Sequence, residues 1–293
     1  MYVPTLLAAG LMFPEAPRWH EGQLWLSDHH AHRVHVIDEA GTARVVAELD
    51  DMPSGLGFLA DGSLLIAAMR SCRVYRQDAG GLHLYADLSA VGDGWINDMV
   101  VDGRGRAYVG FTGGGLYANE DGTSAIICVE SDGSWWVATT EVSIPNGTVI
   151  SPDNGTLVVA ESGASRLTAF DVSEDGTLSG RRTFAAFDAE MPDGCCLDAE
   201  GAIWMAAPRT SRFIRVTDGG EVIDEVRVED GSAIACTLGG PDGRTLYLVV
   251  TEFSRPNIAE LRANTEWARD PELSSSRGRV DTVRVSVPAA GWP

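Results

Sequence analysis

One short pattern recurs six times along the chain, and it limits the possible folds more than any other feature. A polar turn carrying Gly is followed each time by apolar residues in strand-like alternation. The first three copies are His20-Glu21-Gly22 before Leu24-Trp25-Leu26, Asp61-Gly62 before Leu64-Leu65-Ile66, and Gly103-Arg104-Gly105 before Ala107-Tyr108-Val109. The others are Asp153-Asn154-Gly155 before Leu157-Val158-Val159, Glu200-Gly201 before Ile203-Trp204-Met205, and Asp242-Gly243 before Leu246-Tyr247-Leu248. Measured between Gly22, Gly62, Gly105, Gly155, Gly201 and Gly243, successive spacings are 40, 43, 50, 46 and 42 residues. That is the period of a β-propeller blade built from four short strands.

Further strand-like runs lie between the copies, at 33–37, 73–75, 125–129, 167–170 and 213–216. Long amphipathic helical periodicity is missing, which argues against βαβ units. A TIM barrel would need about eight helices that the sequence does not offer. The expectation is an all-β, six-bladed β-propeller, with four-stranded blades around a central channel, in a single domain over residues 1–293. The polar stretch 254–278 reads as a long loop. The alternating run 280–287 reads as the strand that closes the ring.

Composition narrows the function. The chain has 22 basic residues, all Arg, against 42 Asp and Glu, for a formal net charge of -20. Such a balance repels phosphate backbones and anionic lipid, so neither nucleic acid nor a membrane is an expected partner. Without Lys there is no Schiff-base, P-loop or kinase lysine. A supply of carboxylates does suit a hard divalent cation. The apolar stretch 6–13 is too short to span a bilayer and follows no basic segment. Five Cys without a Cys-x-x-Cys pair point to reduced thiols in a cytoplasmic protein, expected as a monomer or weak homo-oligomer.

The repeat also points to a site. If the copies are equivalent, residues at one offset before each reference Gly face the same place in the channel. Seven to nine residues ahead stand Glu15, Ser54, Asn97, Asn146 and Asp193, with Ser232 and Ala233 slightly further out in the last copy. A ring of oxygen donors on one axis is what a hard cation requires. Asn-Gly and Asp-Gly are also favoured turn dipeptides, so any single copy could be a hairpin turn. The shared offset favours a ring.

At these residues the chain resembles the SMP-30/gluconolactonase family. The matching segments are Phe13-Pro14-Glu15-Ala16-Pro17-Arg18-Trp19, Asn97-Asp98, Pro145-Asn146-Gly147 with Ser151-Pro152-Asp153, and Pro192-Asp193-Gly194. Supporting segments are Ser27-Asp28 with His32-Arg33-Val34, Val159-Ala160-Glu161-Ser162, and Leu197-Asp198-Ala199-Glu200-Gly201. The resemblance runs from about residue 10 to residue 250. It implies a metal-dependent six-bladed propeller that opens lactones, with relatives that hydrolyse organophosphates. Carried over, it implies that Glu15, Asn146 and Asp193 hold the metal, that Asn97 sits beside it and touches substrate or a metal-bound water, and that Asp193 is also the base. Family members that act on sugar lactones often carry Arg two residues before the Asn. Trp95 stands there in this chain, followed by Ile96, which directs the expectation to a flatter or more apolar substrate contacting Trp95, or to a different orientation of the substrate.

The expected function is therefore hydrolysis of a lactone or related small ester, with the metal polarising the carbonyl and Asp193 activating water. Ca²⁺ is the expected ion, with Zn²⁺, Mn²⁺ or Mg²⁺ as alternatives. The competing readings are a phosphotriester hydrolase using the same metal, and a non-catalytic ligand-binding propeller with structural calcium. No Gly-x-Ser-x-Gly elbow offers a serine route.

Other groupings have plainer readings. Asp28-His29-His30-Ala31-His32 is read as a solvent-exposed hairpin loop, with a channel-rim role second and zinc ligation a distant third. Cys195 and Cys196 read as buried small residues, and Glu161 with Ser162 as a strand end. Trp25, Trp135, Trp136 and Trp204 read as packing between blades. Gly113-Gly114-Gly115 reads as a loop near the channel, since no helix follows it.

Overall fold

The computed structural model describes residues 2–113, 123–252 and 276–291. Strand β1 (Thr5–Leu11) precedes five complete four-stranded sheets. Blade 1 comprises β2 (Pro14–His20), β3 (Gln23–Asp28), β4 (Arg33–Ile37) and β5 (Ala43–Glu48). Blade 2 comprises β6 (Pro53–Phe58), β7 (Leu64–Ala68), β8 (Arg73–Asp78) and β9 (Gly81–Asp87). Blade 3 has β10 (Gly94–Val101), β11 (Ala107–Gly113), β12 (Ala125–Val129) and β13 (Trp135–Thr139). Blade 4 has β14 (Pro145–Ile150), β15 (Thr156–Glu161), β16 (Arg166–Val172) and β17 (Leu178–Ala186). Blade 5 has β18 (Cys195–Leu197), β19 (Ile203–Ala207), β20 (Arg212–Val216) and β21 (Val222–Arg227). Blade 6 joins β22 (Ser232–Gly239), β23 (Thr245–Glu252) and β24 (Arg277–Arg284) to β1. The protein is a six-bladed β-propeller, as its repeat predicts. Among the described residues no helix is long and apolar enough to cross a membrane.

The apolar runs of the repeat are the second strands of the blades. Strands β7, β11 and β19 are buried at every position, because both faces of a blade are covered by its neighbours. Leu65, Ala67 and Val74 of blade 2 pack on Met99, Val101 and Val109 of blade 3. Equivalent clusters fill the other interfaces, and Leu24 and Leu26 of blade 1 meet Tyr247 and Val280 of blade 6. The turn before each second strand contains at least one left-handed residue. Gly22, Gly62, Gly105, Gly201 and Gly243 have φ of +76°, +82°, +85°, +78° and +70°, whereas blade 4 uses Asn154 at +60°.

A second corner recurs at the opposite ends of the strands, with residue types too varied to stand out in the sequence. His32, Cys72, Ser165 and Ser211 adopt φ of 57°, 51°, 51° and 51°. The next residue is an Arg each time, and it pairs with a carboxylate: Arg33 with Glu48, Arg73 with Asp87, Arg166 with Glu161, Arg212 with Glu190. The carbonyls of those left-handed residues accept the N–H groups of Leu49, Leu88, Phe187 and Val228 at 2.8–3.0 Å. Each outer strand is thereby tied down where the chain turns inward to the next blade.

Ring closure differs from expectation. Strand β24 ends at Arg284 and lies inside blade 6, and it is β1 that covers it, from Thr5↔Thr282 to Leu11↔Gly278. The chain leaves the sheet because Val285 donates to Arg244 O. Ala289 then donates to Gly243 O, and Ala199 donates to Pro288 O. The expected loop at 254–278 falls almost wholly outside the described residues, and its end, Gly278, already belongs to β24.

The inner strands pack backbone against backbone. A Cβ on Gly55 would lie 2.4 Å from Met99 N, one on Gly147 2.5 Å from Asp193 O, and one on Gly194 2.3 Å from Ala235 Cβ. These glycines follow Ser54, Asn146 and Asp193, so the Asn-Gly and Asp-Gly pairs are points of close approach rather than turns. Gly147→Ala is expected to destabilise the protein by about 2–4 kcal/mol in urea unfolding, through overpacking and a displaced inner strand. Gly22→Asn, at an open left-handed position with nothing within 4 Å, is expected to cost less than about 1 kcal/mol. Equal effects would contradict the packing argument.

Candidate active site

Every inner strand starts at the same end of the channel. The pairs Pro14↔Asp28, Pro53↔Ala68, Gly94↔Gly113 and Pro145↔Glu161 place these starts beside the connections between second and third strands. Glu15, Ser54, Asn97, Asn146 and Asp193 stand at this end. Register shifts fall at Glu15/Arg18, Pro53/Leu56, Ile96/Met99, Pro145/Thr148 and Ala233/Ala235. Such bulges break the two-residue alternation and turn side chains into the channel.

A belt of hydrogen bonds joins these residues across blades. Ser27 Oγ donates to Ser54 O at 2.5 Å, and Ser54 Oγ donates to Asn97 Oδ1 at 3.1 Å. Asn97 Nδ2 donates to Pro145 O at 3.3 Å. Asn146 Nδ2 donates to Ser162 Oγ at 3.3 Å, and Ser162 Oγ donates to Pro192 O at 2.6 Å. Ser162 is therefore the residue that orients Asn146, a role its place at a strand end did not reveal. Glu161 is fully buried and structural, accepting from Arg166, Thr168 and Ser143 N.

The charges are unbalanced. Asp193 and Asp98 are buried and Glu15 is half-buried, and their carboxylates repel one another. Burial, then Asp193 and Asp98, hold the Glu15 carboxyl well above its usual range. Burial and the Asp98 charge push Asp193 up to about 8, although hydrogen bonds from Asn146 and Gly194 N oppose this. Burial also raises Asp98, against the pull of Arg18. Arg18 reaches across the channel from blade 1 to Asp98 Oδ1 at 2.7 Å and Met99 O at 2.6 Å. Neither Arg18 nor Asp98 drew attention in the sequence beyond the segments containing them.

These residues fit a hard cation. Asp193 Oδ1 is buried without a hydrogen-bond partner, and such an atom is costly unless something supplies positive charge. Asn146, with its nitrogen directed at Ser162, has its oxygen as the remaining acceptor. Among the described residues no three His, Cys, Asp or Glu side chains converge on one point suited to a metal, so a set here needs the amide of Asn146 with Glu15 and Asp193.

The His-rich segment is not the expected exposed loop. His29 is buried and stacks on Phe13 at 5.4 Å, and His30 meets Phe13 at 4.9 Å. Phe13 O accepts the His29 N–H, which holds the segment against the chain just before β2. Burial pushes His29 down to about 3 and His30 down to about 4. Trp95 stands at the start of β10, half-buried, with the Arg70 guanidinium carbon 5.5 Å from its ring centre. Cys195 is buried, and burial raises its thiol, as expected of an inert residue. All five cysteines are unbridged. Gly113 ends β11, while Gly114 and Gly115 lie outside the described residues.

The fold and the oxygen-rich channel mouth define a six-bladed propeller with a candidate cation site. The chain belongs to the SMP-30/gluconolactonase/LRE-like family, whose model matches residues 13–252. It is 27% identical to the 6-deoxy-6-sulfogluconolactonase of Pseudomonas putida, over 95% of this chain and 93% of that protein. It is 25% identical to a pentonolactonase of Haloferax volcanii, over 85% and 84% of the two chains. The solved structure of regucalcin, a calcium-binding protein from Agrobacterium tumefaciens, shares the fold with a TM-score of 0.78 at 22% identity, covering 99% of each chain.

A carboxyl whose native pKa lies above its unfolded value of about 3.9 stabilises the fold only while protonated. Stability of the cation-free protein is therefore expected to fall as pH rises from about 4 to about 8, the Asp193 value. Asp193→Asn should flatten that fall, and millimolar Ca²⁺ or Mn²⁺ should raise the Tm more at pH 8 than at pH 5. A flat pH profile would contradict the charge imbalance.

Proposed function

We propose that the protein is a metal-dependent hydrolase of small, sugar-derived lactones, with Glu15, Asn146 and Asp193 holding the metal and Asp193 acting as base. The observation that carries this proposal is the buried, unpartnered Asp193 Oδ1 beside Glu15, in a chain matched by the family model. The names of the Pseudomonas and Haloferax relatives support a lactone as substrate.

A bound divalent cation supplies Lewis acidity to the ester carbonyl and offsets the charge that develops on its oxygen. The chain's own residues do the rest. Asn146, fixed by Ser162, contributes an oxygen without adding charge. Asn97 is locked by Ser54 and Pro145, and the second N–H of its amide is the group assigned to the substrate in this reading. With positive charge beside it, Asp193 ionises at neutral pH, because an opposite charge favours the carboxylate. The Asp193 carboxylate accepts a proton from the attacking water and returns it to the leaving ring oxygen, so one lactone and one water yield one hydroxy acid. Burial keeps this proton transfer out of bulk solvent.

The test is proton release from a sugar lactone, a simple γ-lactone, an aryl ester and a phosphotriester, with chelator and after restoring Ca²⁺, Zn²⁺ or Mn²⁺. Chelator-sensitive, metal-restored turnover of the lactones is expected. Asp193→Asn should lower kcat by 10²-fold or more, in the range typical of a lost general base. Turnover confined to the phosphotriester, or undiminished turnover in Asp193→Asn, would overturn the proposal.

A further inference from the structure

Two of the five unbridged cysteines touch. Strand β18 carries Cys195 and Cys196 side by side, and the alternation of a strand sends them to opposite faces. Cys195 packs with Val149, Val158 and Met205 between blades 4 and 5. Cys196 packs on the other side, against the cluster of Trp204, Ala233 and Cys236 between blades 5 and 6. There its Sγ lies 4.0 Å from Cys236 Sγ, which puts the two sulfurs in contact. Cys72 and Cys128 are buried elsewhere, between blades 2 and 3 and between blades 3 and 4.

The backbones are spaced for a bond between these sulfurs. Strands β18 and β22 are the inner strands of neighbouring blades, and Gly194, just before β18, donates its N–H to Ile234 O at 3.0 Å. A Cβ on Gly194 would lie 2.7 Å from Ala235 Cα. Cys196 and Cys236 each stand two residues beyond that hydrogen bond, so they face each other at the same step of two strands in close approach. A disulfide needs Cα atoms about 4.4–6.8 Å apart and sulfurs about 2.05 Å apart. Backbones in this contact suit the first condition, and rotation about χ1 brings the sulfurs to the second.

The pair is also reachable from one side. Cys236 is only 1% exposed, and burial holds its thiol well above the usual range. Cys196 is half-buried and lines a cavity of about 90 Å³. The cavity runs from Arg18 and Thr148 at the channel wall to Gly243 and the exposed Gly291, at the end of the molecule opposite Glu15. A water takes up about 30 Å³, so the cavity has room for a small polar molecule beside Cys196. Cys196 is therefore the sulfur that meets an incoming oxidant, and Cys236 is the partner held behind it.

We propose that Cys196 and Cys236 form a reversible oxidation site, closed to a disulfide by hydrogen peroxide and fastening the inner strands of blades 5 and 6 to each other. The thiolate form of Cys196 attacks one peroxide oxygen, the O–O bond breaks, and the departing hydroxide takes up a proton as water, leaving a sulfenic acid. The Cys236 sulfur then attacks the Cys196 sulfur, and the S–OH oxygen leaves as a second water with the Cys236 proton. Two thiols and one peroxide thus give one disulfide and two waters. A dithiol reductant reverses the reaction by thiol–disulfide exchange. No group of the candidate cation site takes part, so the assignment stands apart from lactone hydrolysis.

The test treats the folded protein with excess hydrogen peroxide, blocks remaining thiols with iodoacetamide, and maps peptides without reduction by mass spectrometry. The expected result is a loss of two thiols and one cross-linked peptide pair, Cys196 with Cys236, both reversed by dithiothreitol. Cys195→Ala should keep that bond, whereas Cys196→Ala and Cys236→Ala should each lose it. Oxidised wild type should melt about 5 °C higher than reduced, because the bond closes a 40-residue loop in the unfolded chain. Four outcomes would overturn the proposal: no bond in the folded wild type, a bond through Cys195, cross-links between molecules, or a Tm unchanged or lowered by oxidation. The wild-type map decides even if a cysteine variant fails to fold.

Discussion

Three carboxylates, Glu15, Asp98 and Asp193, lie near enough to repel one another, and among the described residues Arg18 is the cation bonded to one of them. Burial makes each of these charges expensive, and their mutual repulsion adds to the cost. The arrangement persists only if protons or a bound cation supply what Arg18 does not. Asp98, bonded to Arg18 and to Met99 N, is the member already satisfied by protein. Asp193, with one oxygen unpartnered, is the member that is not. That difference between two buried aspartates of one cluster is the ground on which the chemical role is proposed for Asp193 rather than Asp98.

The scaffold makes that arrangement affordable by being rigid where the charges sit. Glycines at 55, 147 and 194 let neighbouring inner strands approach to backbone contact. Bulges then fall at Ser54 and Asn146, the residues before two of those glycines. The belt from Ser27 through Ser54, Asn97 and Pro145 crosses blades 1 to 4, and Asn146, Ser162 and Pro192 continue it. A site spread over several blades thus behaves as one unit, since no inner strand can shift without disturbing its neighbour.

The propeller was legible in the sequence because the turn at the start of each second strand needs a left-handed residue, and Gly leaves a countable mark. The corner at His32, Cys72, Ser165 and Ser211 was not legible, since the backbone there tolerates several residue types and only the following Arg repeats. Glu15, Asn97, Asn146 and Asp193 could be found from a common offset, which survives because the inner strands are equivalent. Arg18 could not, since it acts across a blade boundary that no spacing in the chain encodes. Closure by β1 was missed because an edge strand, half exposed, has a weaker pattern than the buried strands it joins. The His29-His30 segment misled in the other direction: its polarity suggested solvent, but Phe13 offers both rings a stacking partner.

The central claim is that Glu15, Asn146 and Asp193 form one cation site, and anomalous diffraction from crystals soaked in Mn²⁺ tests it most directly. The account predicts a single strong peak within bonding distance, about 2.0–2.6 Å, of Glu15, Asn146 and Asp193 oxygens, absent from Asp193→Asn crystals. A peak elsewhere in the molecule, or none at saturating Mn²⁺ in the wild type, would contradict it.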